Sequence, residues 1–165
     1  KENDGYQAIQ VGMGERKRVT KPMGGHLKKA NLKTVKKLGE FRIKALDKYK
    51  VGDKLDVTIF AIGEKVSVAG WTKGRGFSGG IKRWGWHGGP ATHGSMSHRR
   101  TGSNSSGTSP GRVRKGKKLA GRYGNERVTT KNLKVVKIEK EKNIIYLKGA
   151  IPGAKNGYII ITKED

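Results

Sequence analysis

Basic, aromatic and imidazole side chains are concentrated in one segment of this sequence. Between Glu64 and Glu126 there are 13 Lys and Arg residues and no Asp or Glu. All three Trp residues and three of the four His residues fall in the same 61 positions. Guanidinium and ammonium groups neutralise phosphates, aromatic rings stack on bases, and imidazoles hydrogen-bond to phosphates, sugars or base edges. The pattern predicts a surface for a polyanion, with nucleic acid favoured over a membrane surface.

The cations of this segment are also of an unusual type. Seven of the 11 Arg residues lie in it, but only six of the 26 Lys residues. A planar guanidinium suits phosphate forks and base faces, whereas an ammonium is a strongly solvated point charge. The net charge of the chain is +24 and the segment alone contributes +13. Charge that served only solubility would not need this exchange of Lys for Arg.

We predict that the cations, two neighbouring Trp residues and the histidines of this segment carry the binding. They are Lys73, Arg75, Lys82, Arg83, Trp84, Trp86, His87, His93, His98, Arg99, Arg100, Arg112, Arg114, Lys115, Lys117, Lys118 and Arg122. We expect the tip of the segment to be formed by Ser103, Asn104, Ser105, Ser106, Gly107 and Thr108.

Two of these features have plain structural alternatives. Trp84 and Trp86 could be core residues, as aromatic residues usually are, although few aliphatic partners are nearby. Stacking on bases or packing between RNA helices and the segment is the favoured interpretation. The basic run at 115–118 could be a merely solvated face, but the Arg residues around it favour phosphate contact.

The stretch Gly74–Gly79 has the GxGxxG spacing of a dinucleotide-binding loop. That chemistry needs a helix directly afterwards and an acidic residue about 20 positions further on. The sequence after Gly79 is a poor helix former, and no acidic residue occurs before Glu126. We therefore predict no cofactor, and interpret the glycines as backbone that can approach phosphates closely.

Metal binding and catalysis have little support. The three histidines of the segment are spaced by six and five residues, which is not one helix face, and no carboxylate or thiolate accompanies them. Asp53 and Asp56 are expected on opposite faces of a strand, so they do not form a carboxylate pair. We predict no metal, no small-molecule substrate and no enzymatic activity. An RNA-modifying or RNA-cleaving enzyme and a general polyanion binder remain the alternatives.

The sequence on either side of the segment alternates apolar and polar residues as short β-strands do. The strands are predicted at 6–11, 55–59, 66–68, 133–138, 144–147 and 158–162, with a hairpin loop at 139–143, a turn at 149–153 and one short helix near 26–30. Many short strands with few helices predict a mainly β fold, a small antiparallel barrel.

The basic segment cannot contain a core of its own. Residues 71–125 include only four Leu, Ile, Val or Phe residues. We predict that residues 1–70 together with 126–165 form the barrel, and that 71–125 is an extended arm inserted between its strands. We call residues 71–125 the arm and expect it to become fixed when its phosphate partner is present. No apolar run approaches the ~18 residues of a membrane span, and we expect a cytosolic protein without a membrane partner.

The order of several motifs resembles the bacterial universal large-subunit ribosomal protein three (uL-three) family, from about Asn3 to Ile161. The matching stretches are Asn3–Tyr6, Arg18–Pro22, Gly25–His26, Gly74–Gly79, Lys82–Trp84, Thr92–Gly94, Ser97–Arg99, Gly102–Ser103, Pro110–Arg112, Lys115–Gly121 and Lys148–Gly153.

The resemblance implies a translation-factor-like β-barrel on the surface of the large ribosomal subunit, with an extension that runs through large-subunit rRNA toward the peptidyl transferase centre. It also implies an early role in subunit assembly and neighbours such as large-subunit proteins fourteen and nineteen. The family's opening strand would precede Lys1. Thr108 stands where some bacteria have a methylated Gln, and Arg100–Thr101 replaces a more usual apolar–Pro pair.

Overall fold

A computed structural model of the chain describes residues 5–43 and 49–163. Asn3 and Asp4, which belong to the first of the resembling stretches, lie outside the described residues. The chain divides into two compact units, Lys1–Asp56 and Val57–Asp165. The helices are α1 (Lys21–Lys28) and α2 (Gly80–Trp84), with one 3-10 turn at Val57–Ile59. The strands are β1 (Ala8–Met13), β2 (Lys37–Arg42), β3 (Lys65–Trp71), β4 (Gly76–Ser78), β5 (Gly121–Tyr123), β6 (Arg127–Glu139), β7 (Ile144–Lys148) and β8 (Ile159–Lys163).

The first unit is an antiparallel pair, β1 with β2, and the helix α1 lies between them in sequence. Pro22 sits in the first turn of α1, where its missing N–H costs no helical hydrogen bond. Leu27 is the buried residue of the helix, and the Nε2 atom of His26 lies 2.6 Å from Oε1 of Gln10. The helix begins at Lys21, about one and a half turns before the start of the predicted 26–30.

The second unit is built on a four-stranded antiparallel sheet with the order β7-β6-β3-β8. Val66 and Val68 of β3 and Leu133 and Val135 of β6 form its buried cluster. Because side chains two apart in a strand share a face, the alternation seen in the sequence places these four together. Half-buried side chains pack against the cluster from around it: Phe60, Ile138, Ile145, Leu147, Ile159 and Ile161.

The mainly β class is confirmed, together with the predicted strands around 66–68, 133–138, 144–147 and 158–162. The sheet has β7 and β8 at its edges, and no closed barrel is found among the residues that the structure describes. No helix in the described ranges is long and apolar enough to span a membrane.

The strand predicted at 55–59 is wrong, since residues 57–59 form a 3-10 turn. Side chains satisfy the backbone there without a sheet partner. The N–H of Val57 donates to Oδ1 of Asn143 at 3.0 Å, and that of Ala61 donates to Oε2 of Glu64 at 2.8 Å. Asp53 and Asp56 consequently do not lie on a strand.

Candidate nucleic-acid interface

The arm begins and ends at paired positions of the sheet. Trp71, the last residue of β3, pairs with Arg127, the first residue of β6. Beyond this pair the N–H of Thr72 donates to the carbonyl of Glu126 at 3.0 Å, and the N–H of Asn125 donates to the carbonyl of Thr72 at 3.2 Å. The insertion therefore leaves and re-enters the sheet through a hydrogen-bonded base.

The outgoing and returning legs of the arm stay paired beyond this base. The strands β4 and β5 are antiparallel, with Phe77 opposite Arg122. The N–H of Arg75 also donates to the carbonyl of Tyr123 at 2.8 Å. These two short strands were not predicted, because their glycine-rich sequence lacks the alternation of apolar and polar residues that indicates a strand.

The helix α2 attaches the outgoing leg to the returning one. The local sequence predicts no helix here, yet five residues form one, and Gly85 ends it with a left-handed φ of 71°. Arg83 and Trp84 both donate to the carbonyl of Leu119, from Nη1 at 3.0 Å and from Nε1 at 2.8 Å. Tertiary hydrogen bonds thus hold a turn of helix that the local sequence does not favour.

Residues 88–98 form a loop that closes on itself. The N–H of Gly89 donates to the carbonyl of His98 at 2.9 Å, and Nδ1 of His98 lies 2.8 Å from the carbonyl oxygen of Pro90. A Cβ atom at Gly89 would lie 2.0 Å from the carbonyl oxygen of Ser97. Only glycine permits this approach of the two chains.

The predicted tip is exposed throughout, from Ser103 to Thr108. Lys117 on the returning leg anchors its start. The Nζ atom donates to the carbonyls of Ser103, at 3.0 Å, and of Asn104.

The predicted cations of the arm lie at its surface. Arg83 is half-buried and the others are exposed: Lys73, Arg75, Lys82, Arg99, Arg100, Arg112, Arg114, Lys115, Lys117, Lys118 and Arg122. The ion pairs found among the described residues lie outside the arm, for example Lys137 with Glu139 at 2.6 Å and Lys163 with Glu64 at 3.0 Å. The positive charge of the arm is therefore uncompensated within the arm.

The two arm Trp residues differ in their surroundings. Trp84 is 40% exposed, and its ring centroid lies 4.8 Å from the guanidinium carbon of Arg83 and 5.7 Å from Nζ of Lys118. Trp86 is half-buried, with its ring against the Cα of Gly80. Neither belongs to the apolar cluster of the sheet, and stacking on bases stays a prediction.

The three arm histidines are exposed. Within residues 5–43 and 49–163, no group of three or more His, Cys, Asp or Glu side chains could hold a metal ion. The stretch Gly74–Gly79 is partly strand β4 and is followed by the short α2. No acidic residue occurs between Gly79 and Glu126, so the acidic residue of the dinucleotide motif is missing.

Phe77 is an exposed aromatic residue of the arm that the sequence-based prediction of the interface did not include. It is 82% exposed, and Arg122 lies opposite it on the paired strand. Its signal was an isolated aromatic residue among glycines with no aliphatic partner. An exposed ring beside a cation is suited to stacking on a base.

Comparisons with known proteins match nearly the whole chain. The family model described as Ribosomal protein L3 matches residues 24–144. The chain is 55% identical over 161 residues to the large ribosomal subunit protein uL3 of Pseudothermotoga lettingae, covering 96% of this chain and 77% of that protein. It is 50% identical over 160 residues to the uL3 of Thermosipho melanesiensis, covering 97% and 78% of the two chains. The uL3 of Herpetosiphon aurantiacus is 52% identical over 166 residues, covering 99% and 78%.

Proposed function

Because the chain belongs to the ribosomal protein L3 family, it is a structural constituent of the large subunit of the cytoplasmic ribosome, and we propose that the arm is its principal contact with large-subunit rRNA. The residues proposed to make this contact are the cations, Trp84, Trp86, the three histidines and the tip predicted from the sequence, with Phe77 added from the structure.

The uncompensated charge of the arm is the observation that carries this proposal. Eleven of its twelve cations are exposed, and no acidic residue occurs between Glu64 and Glu126. Cations that have no acidic partner are available for phosphates, and each phosphate neutralised releases counterions from the RNA.

The backbone of the arm supports recognition by shape. The hydrogen bonds at Thr72, Arg75, Leu119 and Gly89 order the chain without an apolar core. A narrow, glycine-rich arm can lie between RNA helices where a bulkier domain would not fit. Phosphate contacts and RNA shape, rather than base sequence, then determine where the arm binds.

The sheet supports a proposal about the remaining residues, namely that 1–70 with 126–165 form a small barrel of the translation-factor type. Its pairing is irregular between Val66 and Val68 on β3 and between Val135 and Lys137 on β6. Such bulges bend strands and increase their twist, and they are the means by which sheets curve toward closure.

The family also supports proposals about partners and role. Other large-subunit proteins are partners of a member of this family, and we propose proteins fourteen and nineteen as neighbours of this one. We further propose that the arm supports subunit assembly and the architecture around the peptidyl transferase centre, and that the protein has no enzymatic activity of its own.

Deleting the arm tests its role directly. Replacing residues 73–125 by Asn-Gly joins Thr72 to Glu126 through a two-residue turn, the length that suits their paired positions. We expect cooperative thermal unfolding to be retained and affinity for a large-subunit rRNA transcript to fall by roughly 1,000-fold or more, because the variant leaves many phosphates without a cation. Affinity is measured by filter binding at several salt concentrations.

Two outcomes of that measurement would contradict the proposal. If the folded deletion variant binds as tightly as the parent, the arm is not the principal contact. If heparin of matched charge competes as well as the rRNA transcript for the intact chain, the protein is a general polyanion binder.

A further inference from the structure

The arm forms a half-open pocket of about 430 Å³. Its lining combines half-buried apolar side chains, Ile81, Trp86 and Leu119, with the cationic side chains of Arg99, Arg100 and Lys117. The volume falls within the range of roughly 300–1,000 Å³ in which proteins hold small organic ligands. An apolar wall together with several cations suits a ligand that has both a flat ring and a phosphate.

We propose that this pocket binds one unstacked ribonucleotide of the rRNA, with its base on the Trp86 ring and its phosphate at Arg99, Arg100 and Lys117. The inference rests on the proposed rRNA-binding function and names where in the arm a single base is held. It also separates the two Trp residues that the sequence could not distinguish.

Trp84 is unsuited to this role because its polar group and its ring are engaged within the arm. Its indole N–H donates to the carbonyl of Leu119, and Arg83 and Lys118 lie over the ring. Trp86 lines the pocket instead. Within the part of the chain that the structure describes, its indole N–H has no hydrogen-bond partner, so this group can donate to a base or sugar.

The position of Trp86 is set by glycine. Its ring packs directly on Gly80, where a Cβ atom would lie 2.1 Å from Cε3. A side chain at position 80 would displace the ring. Gly88 and Gly89 also line the pocket, and the neighbouring chain at Ser97 and His98 leaves no room for a Cβ atom at either.

The cations of the pocket have no acidic partner within the arm. Lys117 is held by the carbonyls of Ser103 and Asn104, which also line the pocket. Arg99 and Arg100 are exposed and have no acidic neighbour in the arm. Arg presents donors in a fork that matches phosphate oxygens. An unstacked nucleotide is required because a base within a helix does not present its face to a protein ring.

Fluorine NMR of the full chain labelled with 5-fluorotryptophan tests the proposal. The chain has three Trp residues, at 71, 84 and 86, so three resonances are expected and each is assigned with a Trp→Phe variant. The probes are a large-subunit rRNA transcript, AMP, and inorganic phosphate at matched ionic strength. We expect the transcript and AMP to shift the Trp86 resonance more than those of Trp71 and Trp84, and phosphate alone to leave it in place.

Affinity for the transcript gives a second readout. Trp86→Leu should weaken binding about 5- to 150-fold, the range expected when a base–aromatic stack is removed, and Trp86→Phe should restore most of the affinity. Gly80→Ala should also weaken binding, since it moves the ring without removing it. Trp71→Leu, at a Trp outside the pocket, is the matched control with an expected change below about 2-fold.

Each contrary outcome has a defined meaning. The proposal is overturned if the Trp84 resonance responds as strongly as that of Trp86, if phosphate alone reproduces the shift, or if AMP shifts Trp86 while bound transcript does not. The last result would identify a site for free nucleotides. Salt-dependent transcript binding with an unmoved Trp86 resonance overturns the pocket alone, whereas absence of transcript binding by the intact chain overturns the proposed function itself.

Discussion

The four-stranded sheet and the arm are ordered by different interactions, although they share one compact unit. The sheet buries Val66, Val68, Leu133 and Val135, and partly buried apolar residues pack against them. The arm buries no large aliphatic side chain; its buried positions are Ser78, Gly80 and Gly124. Its order comes from backbone hydrogen bonds and from close contacts that only glycine allows. A chain can therefore hold a defined path without an apolar core when the path is narrow and cross-linked.

The two regions also differ in whether their charged side chains have partners of opposite charge. Glu64 and Glu139 of the sheet region are each paired with a lysine. The cations of the arm have no acidic partner in the arm. Stability and binding should consequently respond to different substitutions.

A core truncation is expected to produce the largest effect on stability. Leu133→Ala removes a side chain that is 7% exposed and leaves a cavity in the sheet, at a cost of about 2–5 kcal/mol in the free energy of unfolding. Val136→Ala on the same strand, where the side chain is 54% exposed, is the control and should cost much less. Urea unfolding measures both.

The RNA affinity of Leu133→Ala tests whether the core of the sheet affects binding by the arm. Measured where Leu133→Ala is folded, its affinity for the rRNA transcript should equal that of the parent within about 2-fold. If the folded variant loses as much free energy of RNA binding as it loses free energy of unfolding, the two regions do not act independently.

Charge removal should have an intermediate effect, on binding only. Arg99→Gln with Arg100→Gln should weaken transcript binding roughly 10-fold near 0.15 M salt and reduce the slope of log affinity against log salt by about 2, one for each phosphate that is no longer neutralised. The matched control is Lys131→Gln with Lys155→Gln, which removes the same charge from exposed positions outside the arm. Equal decreases in affinity for the two pairs would mean that only net charge matters.

The smallest effect is expected from acid. The Ala61 N–H and then Lys163 hold the pKa of Glu64 below its ordinary value of 4.5, and Lys137 likewise lowers that of Glu139. A carboxyl group whose pKa is lowered by folding stabilises the folded state at pH values above its ordinary pKa. This stabilisation is lost as the pH falls below 4.5 toward the lowered pKa. Both carboxylates are half-buried, but their lysine partners are exposed to solvent, which screens the pairs, so the decrease in Tm should be small.

Glu64→Gln isolates that contribution. Between pH 7 and pH 3 its Tm should fall less than that of the parent, while Glu141→Gln, in the exposed hairpin loop, should follow the parent. If the Tm of Glu64→Gln falls as much as that of the parent, Glu64 does not contribute to the acid sensitivity of the fold.

The regular part of the sheet was predictable from local pattern, whereas the turns and short elements were not. Period-two alternation identified β3, β6, β7, β8 and the loop between β6 and β7, because strands with one face in a core must alternate. It failed at 57–59, where the side chains of Asn143 and Glu64 accept backbone hydrogen bonds in place of a neighbouring strand. It also failed at β2, β4 and β5, where glycine and charged residues interrupt the alternation.

The sequence by itself determined the mainly β class, the location of the basic segment and the residue types available to bind RNA, because charge and hydropathy are properties of the residues themselves. Only the tertiary structure decided how those residues are used. It directed the N–H of Trp84 to Leu119, placed Trp86 on Gly80 beside a pocket, and left Phe77 exposed opposite Arg122. The contacts of Trp84 and Phe77 join residues at least 35 positions apart, and the contact of Trp86 with Gly80 spans the short helix α2, so no alternation pattern in the sequence encodes them.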